Sequence, residues 1–298
     1  MQTLYSAETA QGEMKPGEPL KILQKHFDQT RGLLTYLVYV LAEIARYAET
    51  DARKKASKHL PTEADLNINI KLAGNEILWK LMEDTSFQLA LKEDKPDLLA
   101  DQEEIRKLYF DLVASAEYKA YIAEQSRDIK SEKQILEFIL GTLMLPNESF
   151  VSHTEEIFTN WDDDCEVVNQ LIVSWLQKPG AFQFTELISK DKVVFAKELL
   201  QTVADKKEVT MELIKPKLKN WDPERIAVLD MILMQMGVCE FLYFETIPPK
   251  VTINEYIDLA KEYSTPQSGQ FVNGILDNIH KDLVKEDKMH KVSFVKKK

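Results

Sequence analysis

The stretch from Ile226 to Phe244, "IAVLDMILMQMGVCEFLYF", is apolar on nearly every side when it is drawn as an α-helix. A surface helix keeps a polar stripe toward water, whereas a helix that is apolar all round must be buried. Asp222 is a favourable N-cap residue and Pro223 suits the first helical position, so the helix is predicted to begin there. The other parts of the chain must pack around such a helix, and we therefore predict that it is central and buried.

Helical patterns also fill the rest of the chain. In "PLKILQKHFDQTRGLLTYLVYVLAEIARYAETDARKKASKHL", apolar residues recur at three- and four-residue steps, which predicts one long amphipathic helix. Only 9 glycines and 11 prolines occur in 298 residues, too few for the turns of a sandwich or barrel. The predicted fold class is therefore all-α, a bundle of many helices.

The apolar stretches and the cysteines indicate the compartment. The longest apolar stretches run for about 14 residues, short of the ~20 that a membrane-spanning helix needs. Cys165 and Cys239 are isolated, so neither a disulfide framework nor a zinc site is indicated. The first residues lack the pattern of a signal peptide. We expect a cytoplasmic protein that does not bind a membrane.

Two groups of polar residues before residue 190 resemble catalytic or metal-binding sites. "WDDDCE" clusters four carboxylates, and His153 lies three residues before Glu156. Acidic residues before an apolar run are typical of a helix N-terminus, and one His–Glu pair lacks the third ligand of a catalytic zinc. Neither a nucleophile–base pair nor a glycine-rich phosphate loop is present in the sequence. We expect no catalytic residues, no metal site and no cofactor, and hence no enzyme.

The negative charge is unevenly distributed. The chain has a formal net charge of −11, yet residues 191–298 hold 17 basic and 17 acidic side chains, so the acidic excess lies in residues 1–190. Acidity argues against nucleic acid for the first part only. The last residues, "KVSFVKKK", form a basic tail, which we interpret as a solubilising end in preference to a phosphate-seeking arm.

The last two helices have clear start signals. Thr252 and Glu255 are spaced as a capping box, with Val251 and Tyr256 as the hydrophobic staple. Further on, Thr265 is a candidate cap and Pro266 takes the first helical position. The last helix is therefore predicted to begin close to Gln267.

Three residues in the apolar helix and the last helix do not fit the pattern of a hydrophobic core. Asp230 interrupts the apolar helix, as a satisfied core acid or as a rim residue open to a partner. Phe271 falls about 100° from the apolar stripe that Val272 begins. Gly274 lies one turn on, where it either allows another helix to touch or leaves room for a ligand, and Phe271 either fills a gap or presents its ring.

Several spaced motifs in residues 190–284 resemble one known family. "DPERIAVLDMILMQMGVCEFLYFETIPPKVTINEYIDLAKEYSTPQSGQFVNGILDNI" is similar to the C-terminal half of the NusB family of bacterial transcription antitermination factors. In that family an apolar helix ending in Glu is followed by "(I/V)P-x-KVAINEAIELAK", a polar turn and "KFVNGVLD". The opening "MQTLYSAE" resembles the first family helix, "ALYSW".

The resemblance implies a non-enzymatic, all-helical protein made of two packed helical groups. Members of the family pair with ribosomal protein NusE, bind the boxA element of nascent ribosomal RNA as a single strand, and act on the RNA polymerase elongation complex. Carried onto this chain, it assigns Tyr5 and Asp230 to partner binding. The residues it assigns to RNA binding are Lys250, Lys261, Gln267, Ser268, Gln270, Phe271 and Asn273. With the family in view, base stacking is the favoured role of Phe271.

The chain departs from the family pattern in two places. The arginine-rich arm that precedes "ALYSW" in the family is missing before Met1, and a start placed too far downstream is favoured over loss of the arm. A long helical stretch replaces a short connection from about residue 13 to 185. We expect residues 1–185 to form a helical region with this insertion, 186–284 the RNA- and partner-binding region, and 285–298 the basic tail.

The acidic first half and the missing arm leave an alternative function open. In that alternative the protein is a helical scaffold that keeps the protein partner and has lost RNA binding. An in-frame start upstream that adds arginines and lysines would favour the RNA-binding function.

Overall fold

A computed structural model of the chain describes residues 1–10, 15, 17–66, 68–218 and 226–292. The predicted N-cap Asp222, the predicted first helical residue Pro223 and residues 293–298 of the basic tail lie outside the described residues. In the part described, the structure contains helices and no β-strand, which confirms the all-α fold class. No described helix is both long enough and apolar enough to cross a membrane.

The helices are α1 Gln2–Thr9, α2 Glu18–Ala56, α3 Glu63–Leu66, α4 Glu76–Glu83, α5 Thr85–Asp94, α6 Gln102–Ala114, α7 Ala116–Ala123, α8 Ile129–Phe138, α9 Glu148–Ile157, α10 Trp161–Gln177, α11 Lys190–Asp205, α12 Lys207–Ile214, α13 Val228–Tyr243, α14 Pro249–Tyr263 and α15 Ser268–Lys285. Short 3₁₀ turns cover Pro96–Leu98 and Lys215–Lys217, and a π-helical segment, Ile139–Met144, follows α8.

The chain forms two compact units. The terminal unit consists of Met1–Gln24 and Ile188–Lys298, and the central unit is Lys25–Leu187. Each unit has its own hydrophobic core. The helix that resembles the first family helix, α1, thus belongs to the same unit as α11 to α15.

The core of the central unit is built around α2, whose residues from Leu33 to Ala48 are mostly buried. The buried carboxylate of Glu132 joins three of its helices. It accepts hydrogen bonds from the backbone N–H of Glu76 at 2.7 Å and from the Tyr121 hydroxyl at 2.9 Å. Because a buried carboxylate is costly without donors, this network fixes the relative positions of α4, α7 and α8.

In the terminal unit α13 is the central element. It packs against α1, α11, α12, α14 and α15, and eleven of its sixteen residues are buried. Among the described helices of comparable length, none has so large a share of buried residues, so the prediction of a central, buried helix is confirmed. Gly237 permits the tight contact, since a Cβ atom there would lie 2.8 Å from a methyl carbon of Leu276.

The predicted start of this helix is wrong. The helix begins at Val228, because Ala227 has an extended backbone with φ −56° and ψ 132°. Ala227 and Val228 line a groove beside α1. Residues 226 and 227 are therefore not helical, although neither is a helix-breaking residue type.

Candidate functional site

A buried polar cluster connects the start of α13 with the turn between α14 and α15. The two carboxylate oxygens of Asp230 accept hydrogen bonds from the hydroxyls of Ser264 and Ser268, each at 2.7 Å. The Ser268 oxygen also accepts from the backbone N–H of Thr265 at 3.2 Å. Asp230 is thus a satisfied buried acid, the first of the two interpretations that the sequence allowed.

Ser268 differs from the other residues that the resemblance assigned to RNA. Its side chain is buried, with 1% of the residue exposed, and its hydroxyl points to Asp230. It lies under the turn and is not available on the surface, which corrects its assignment as an RNA contact. The predicted cap also differs, because the Thr265 hydroxyl lies 2.8 Å from the Ser268 hydroxyl and caps no backbone N–H of α15.

The turn that this cluster holds presents most of the remaining candidates. Gln267 and Gln270 are exposed at the start of α15, which begins at Ser268 as predicted to within a residue. Asn273 is exposed one turn further on. Rotation of about 100° per residue places the three amides on one continuous face of α15.

Lys261 is held beside this face by a close contact between helices. Its side chain passes over Gly269, where a Cβ atom would lie 2.9 Å from the Lys261 Cγ. The ammonium group is exposed and 3.0 Å from Asp258. Lys250 is exposed at the opposite end of α14, about 16 Å away along the helix axis. The structure therefore brings Lys261 to the amide face and leaves Lys250 apart from it.

Phe271 and Gly274 border the same face. The Phe271 ring is half-buried and packs against the core of the terminal unit. A Cβ atom on Gly274 would meet no atom within 4 Å, so the interpretation that this glycine lets two helices touch is wrong. The side chain of Asn278 donates to the carbonyl of Gly274 at 2.8 Å. One side of Gly274 is open space next to an aromatic ring.

Glu240 is a functional-site neighbour that the sequence did not single out. Its carboxylate accepts hydrogen bonds from the Thr252 hydroxyl at 2.7 Å and the Tyr256 hydroxyl at 2.5 Å. Burial raises the pKa of Glu240 above its usual value, and the two hydroxyl donors oppose that rise. The sequence signal for Glu240 was its position as an acidic residue near the end of an otherwise apolar run.

These hydrogen bonds overturn the predicted capping box. Helix α14 begins at Pro249, so Thr252 lies inside its first turns and not at the N-cap. The Thr252 hydroxyl is buried and serves Glu240 across the helix contact. Residue spacing alone does not show whether Thr252 caps a helix or is buried. The deciding partner, the Glu240 carboxylate, lies on another helix, α13.

A groove of about 550 Å³ lies beside α1 in the terminal unit. The exposed ring of Tyr5 forms part of one wall, the residues before and at the start of α13 form another, and the end of α14 with the following turn completes it. The lining residues are Met1, Gln2, Tyr5, Ser6, Ala227, Val228, Leu229, Tyr263, Ser264 and Thr265. The Ser264 hydroxyl donates a hydrogen bond to the Asp230 carboxylate, so the groove adjoins the buried cluster under the turn.

The acidic constellations of the central unit have structural partners. A ring nitrogen of His153 lies 3.1 Å from the carbonyl of Leu99. Asp164 accepts from the side chains of Thr30 and Asn160, each at 2.6 Å. In the described ranges no group of three or more His, Cys, Asp or Glu side chains is arranged to hold a metal ion.

Comparison with known proteins gives a consistent result. The family model described as "NusB family" matches residues 159–281. That match begins earlier than the stretch from 190 on which the resemblance rested. It includes α10 of the central unit as well as α11 to α14 and most of α15.

The matching relatives share one description, "Transcription antitermination protein NusB". The protein of Methylacidiphilum infernorum is 38% identical over 126 residues, which cover 39% of this chain and 87% of that protein. The protein of Salinibacter ruber is 42% identical over 97 residues, covering 33% and 61%. The protein of Finegoldia magna is 42% identical over 94 residues, covering 32% and 69%. No solved structure matches the chain.

Proposed function

The chain belongs to the NusB family, and from that premise we propose that it binds boxA-type single-stranded RNA together with ribosomal protein NusE. The general function that the family gives is transcription antitermination, which is not an enzymatic activity. The proposal adds four specific points to this general function. They are the boxA-type RNA, the partner NusE, action on the RNA polymerase elongation complex and a location in the cytoplasm.

The exposed turn between α14 and α15 is the observation that carries the RNA part. Single strands are bound by aromatic rings that stack on bases and by amides and cations that contact base edges and phosphates. Gln267, Gln270 and Asn273 supply amides, Lys261 supplies a cation and Phe271 supplies a half-buried ring. One turn further on, a Cβ atom at Gly274 would meet no atom within 4 Å. The buried Asp230 cluster holds this turn in place, which reduces the ordering cost of binding.

The groove beside α1 supports the partner part of the proposal. A concave surface with exposed aromatic and aliphatic side chains is typical of a site that receives protein side chains. Tyr5 lies in this groove, and Asp230 is connected to it through Ser264. In this proposal Tyr5 contacts NusE directly, and Asp230 acts by fixing the turn that forms one wall.

The charge of the central unit favours a second candidate function. Residues 25–187 hold 18 basic and 29 acidic side chains, whereas the rest of the chain is neutral. Such an acidic region repels phosphates at long range. A helical scaffold that binds the protein partner without RNA is therefore the alternative.

One experiment separates the two functions. The affinity of the full chain for a fluorescent boxA-type RNA is measured by anisotropy with and without NusE, for the wild type and for Phe271→Ala. Loss of one stacked base should weaken RNA binding about fivefold to 100-fold. Phe110→Ala, a partly exposed ring in the central unit, is the matched control and should leave the affinity unchanged.

The scaffold alternative predicts a different result. NusE would bind the wild type, but RNA would bind neither the chain nor the complex at any salt concentration. If RNA binds and Phe271→Ala leaves its affinity unchanged while the fold is intact, the ring is a packing residue and stacking is not its role.

A further inference from the structure

The central unit has a concave surface of its own, the groove between α7 and α8. Its volume is about 720 Å³. The floor and walls are mainly apolar, formed by Ala120 and Ala123 of α7 and by Ile135 and Phe138 of α8. Ala120 and Ala123 are exposed, and their small side chains leave the space open.

The charged side chains on the rim of this groove are carboxylates. They are Glu117 and Glu124, and among the described lining residues there is no lysine or arginine. Glu117 is exposed, while Glu124 accepts a hydrogen bond from Ser131 at 2.6 Å and lies 3.8 Å from the ammonium of Lys71. Residues 25–187, which form the central unit, hold 18 basic and 29 acidic side chains and so carry a net negative charge.

We propose that the α7–α8 groove binds a basic, amphipathic helix of a partner protein. The two walls are helices of 8 and 10 residues, a length of about 12–15 Å, which matches two to three turns of a third helix. Apolar side chains at i, i+3 or i+4 and i+7 of that helix fill the floor. Lysines or arginines beside them meet the two carboxylates.

The charge of the groove separates a protein helix from RNA as its occupant. Phosphates need cations for most of their binding energy, and the described rim offers carboxylates. Basic protein segments gain from the same carboxylates, both in encounter rate and in specificity. The groove therefore selects for positive charge.

The end of the groove is also structurally unusual. Phe138 is the last residue of α8 and directly precedes the π-helical segment Ile139–Met144. Single π-helical turns lower the regularity of a helix and occur frequently at functional sites. Here the segment directly follows Phe138, a half-buried aromatic residue that lines the groove.

The proposal is tested with the full chain and a fluorescent 16-residue peptide. The peptide is an alanine-based helix with leucines at i, i+3, i+4 and i+7 and lysines on both flanks. A peptide of the same composition with the leucine stripe shuffled is the first control, and one with glutamates in place of the lysines is the second. The basic amphipathic peptide should bind, and both control peptides should bind at least about tenfold more weakly.

Two kinds of variant locate the binding. Glu117→Gln with Glu124→Gln removes the rim charge and keeps an acceptor for Ser131, and should weaken peptide binding about three- to tenfold at low salt and less at high salt. Ala120→Trp fills the groove and should weaken binding at every salt concentration. Ala123→Leu is a smaller filling variant that tests the same point if Ala120→Trp does not fold.

The matched control is Glu155→Gln with Glu156→Gln, two exposed carboxylates on α9 outside the groove. It should leave peptide binding unchanged, and none of these variants should change the affinity for boxA-type RNA. Equal weakening by the α9 variant, equal binding of the shuffled peptide, or no effect of either filling variant would overturn the proposal. A loss of RNA affinity in the groove variants would assign the groove to RNA and overturn it as well.

Discussion

At the scale of single residues, Asp230 and Glu240 show how carboxylates are accommodated within the most buried helix. Both are nearly inaccessible, and both carboxylate oxygens of each residue accept a hydroxyl donor at 2.5–2.7 Å. The donors to Glu240 lie on α14, and those to Asp230 are Ser264, directly after α14, and Ser268, the first residue of α15. A buried acid thus becomes a fixed link between helices, at a cost that its donors offset.

Glu240 should make stability depend on pH. Its pKa in the folded protein is raised by burial, so the folded state binds more protons than the unfolded state between the two pKa values. The stability that this group contributes is fully present below its unfolded pKa and is lost as pH rises through the folded pKa. We expect Glu240→Gln, which does not titrate, to gain stability relative to the wild type as pH increases through that range.

The comparison is made by urea denaturation from pH 4 to pH 8, with hydrogen exchange of α13 as the reporter of the terminal unit. Glu262→Gln, at an exposed position on α14, controls for the loss of one negative charge. A constant difference between Glu240→Gln and the wild type across this range would show that Glu240 is not the titrating group.

Asp230 should contribute to partner binding through the turn. Asp230→Ala leaves the hydroxyls of Ser264 and Ser268 without their acceptor, and should lower the free energy of unfolding by about 1–3 kcal/mol. Hydrogen exchange in residues 264–268 should accelerate, and NusE affinity measured by calorimetry should fall. Unchanged NusE affinity together with faster exchange would limit Asp230 to a structural role.

At the scale of elements, α13, α14 and α15 form a three-helix assembly whose contacts determine the candidate site. Gly237 allows α13 to approach α15, and Gly269 allows the stem of Lys261 to lie across the start of α15. The contact of Gly237 with Leu276 lies on the core side of α15, away from the exposed amides.

Leu233→Ala tests the central role of α13. Leu233 is fully buried in the core of the terminal unit, and large-to-small core substitutions cost about 2–5 kcal/mol. Unfolding of the terminal unit, followed by hydrogen exchange of residues 228–243 in urea, should show a loss of that size. Val284→Ala, at an exposed position on α15, is the control. A loss below 1 kcal/mol for Leu233→Ala would mean that α13 is not central.

Gly274→Ala should separate stability from binding. Because a Cβ atom there meets open space inside a helix, alanine should raise the free energy of unfolding by about 0.5–1 kcal/mol. If the open space admits RNA, the same methyl group should reduce RNA affinity, so the two effects have opposite signs. A gain of stability with unchanged RNA affinity would show that the space at Gly274 is not used by the ligand.

At the scale of the whole molecule, charge is divided between the two units. The central unit holds the net charge of −11 and the rest of the chain is neutral, so the RNA binding proposed for the α14–α15 face would depend on a few local cations. Specific contacts by amides and a ring then provide most of the affinity, and the salt dependence should be shallow.

The salt dependence can be measured for individual lysines. Each phosphate contact to a single strand contributes about 0.7 to the slope of log affinity against log salt. Lys261→Gln should reduce the slope by about that amount, and Lys250→Gln should do so only if the strand extends about 16 Å along α14. Lys281→Gln, at an exposed position on α15, is the control. An unchanged slope for Lys261→Gln would remove this lysine from the RNA contacts.

The sequence by itself determined the helical class, the identity of the buried central helix and the family. These follow from local periodicity and motif spacing, which need no knowledge of distant contacts. The apolar run from Ile226 to Phe244 required burial in any fold, and Pro266 marked the start of α15 to within two residues.

Only the tertiary structure decided which polar residues are available. Thr252 and Ser268 have the sequence context of surface residues, yet they are buried because Glu240 and Asp230 of α13 lie opposite them and accept their hydrogen bonds. Gly269 and Gly274 are both glycines within the predicted last helix, and the sequence does not distinguish them. In the structure Gly269 lies under the Lys261 side chain, whereas Gly274 faces open space. Long-range packing sets these differences, since the partner of each residue is on another helix and spacing along the chain carries no record of it.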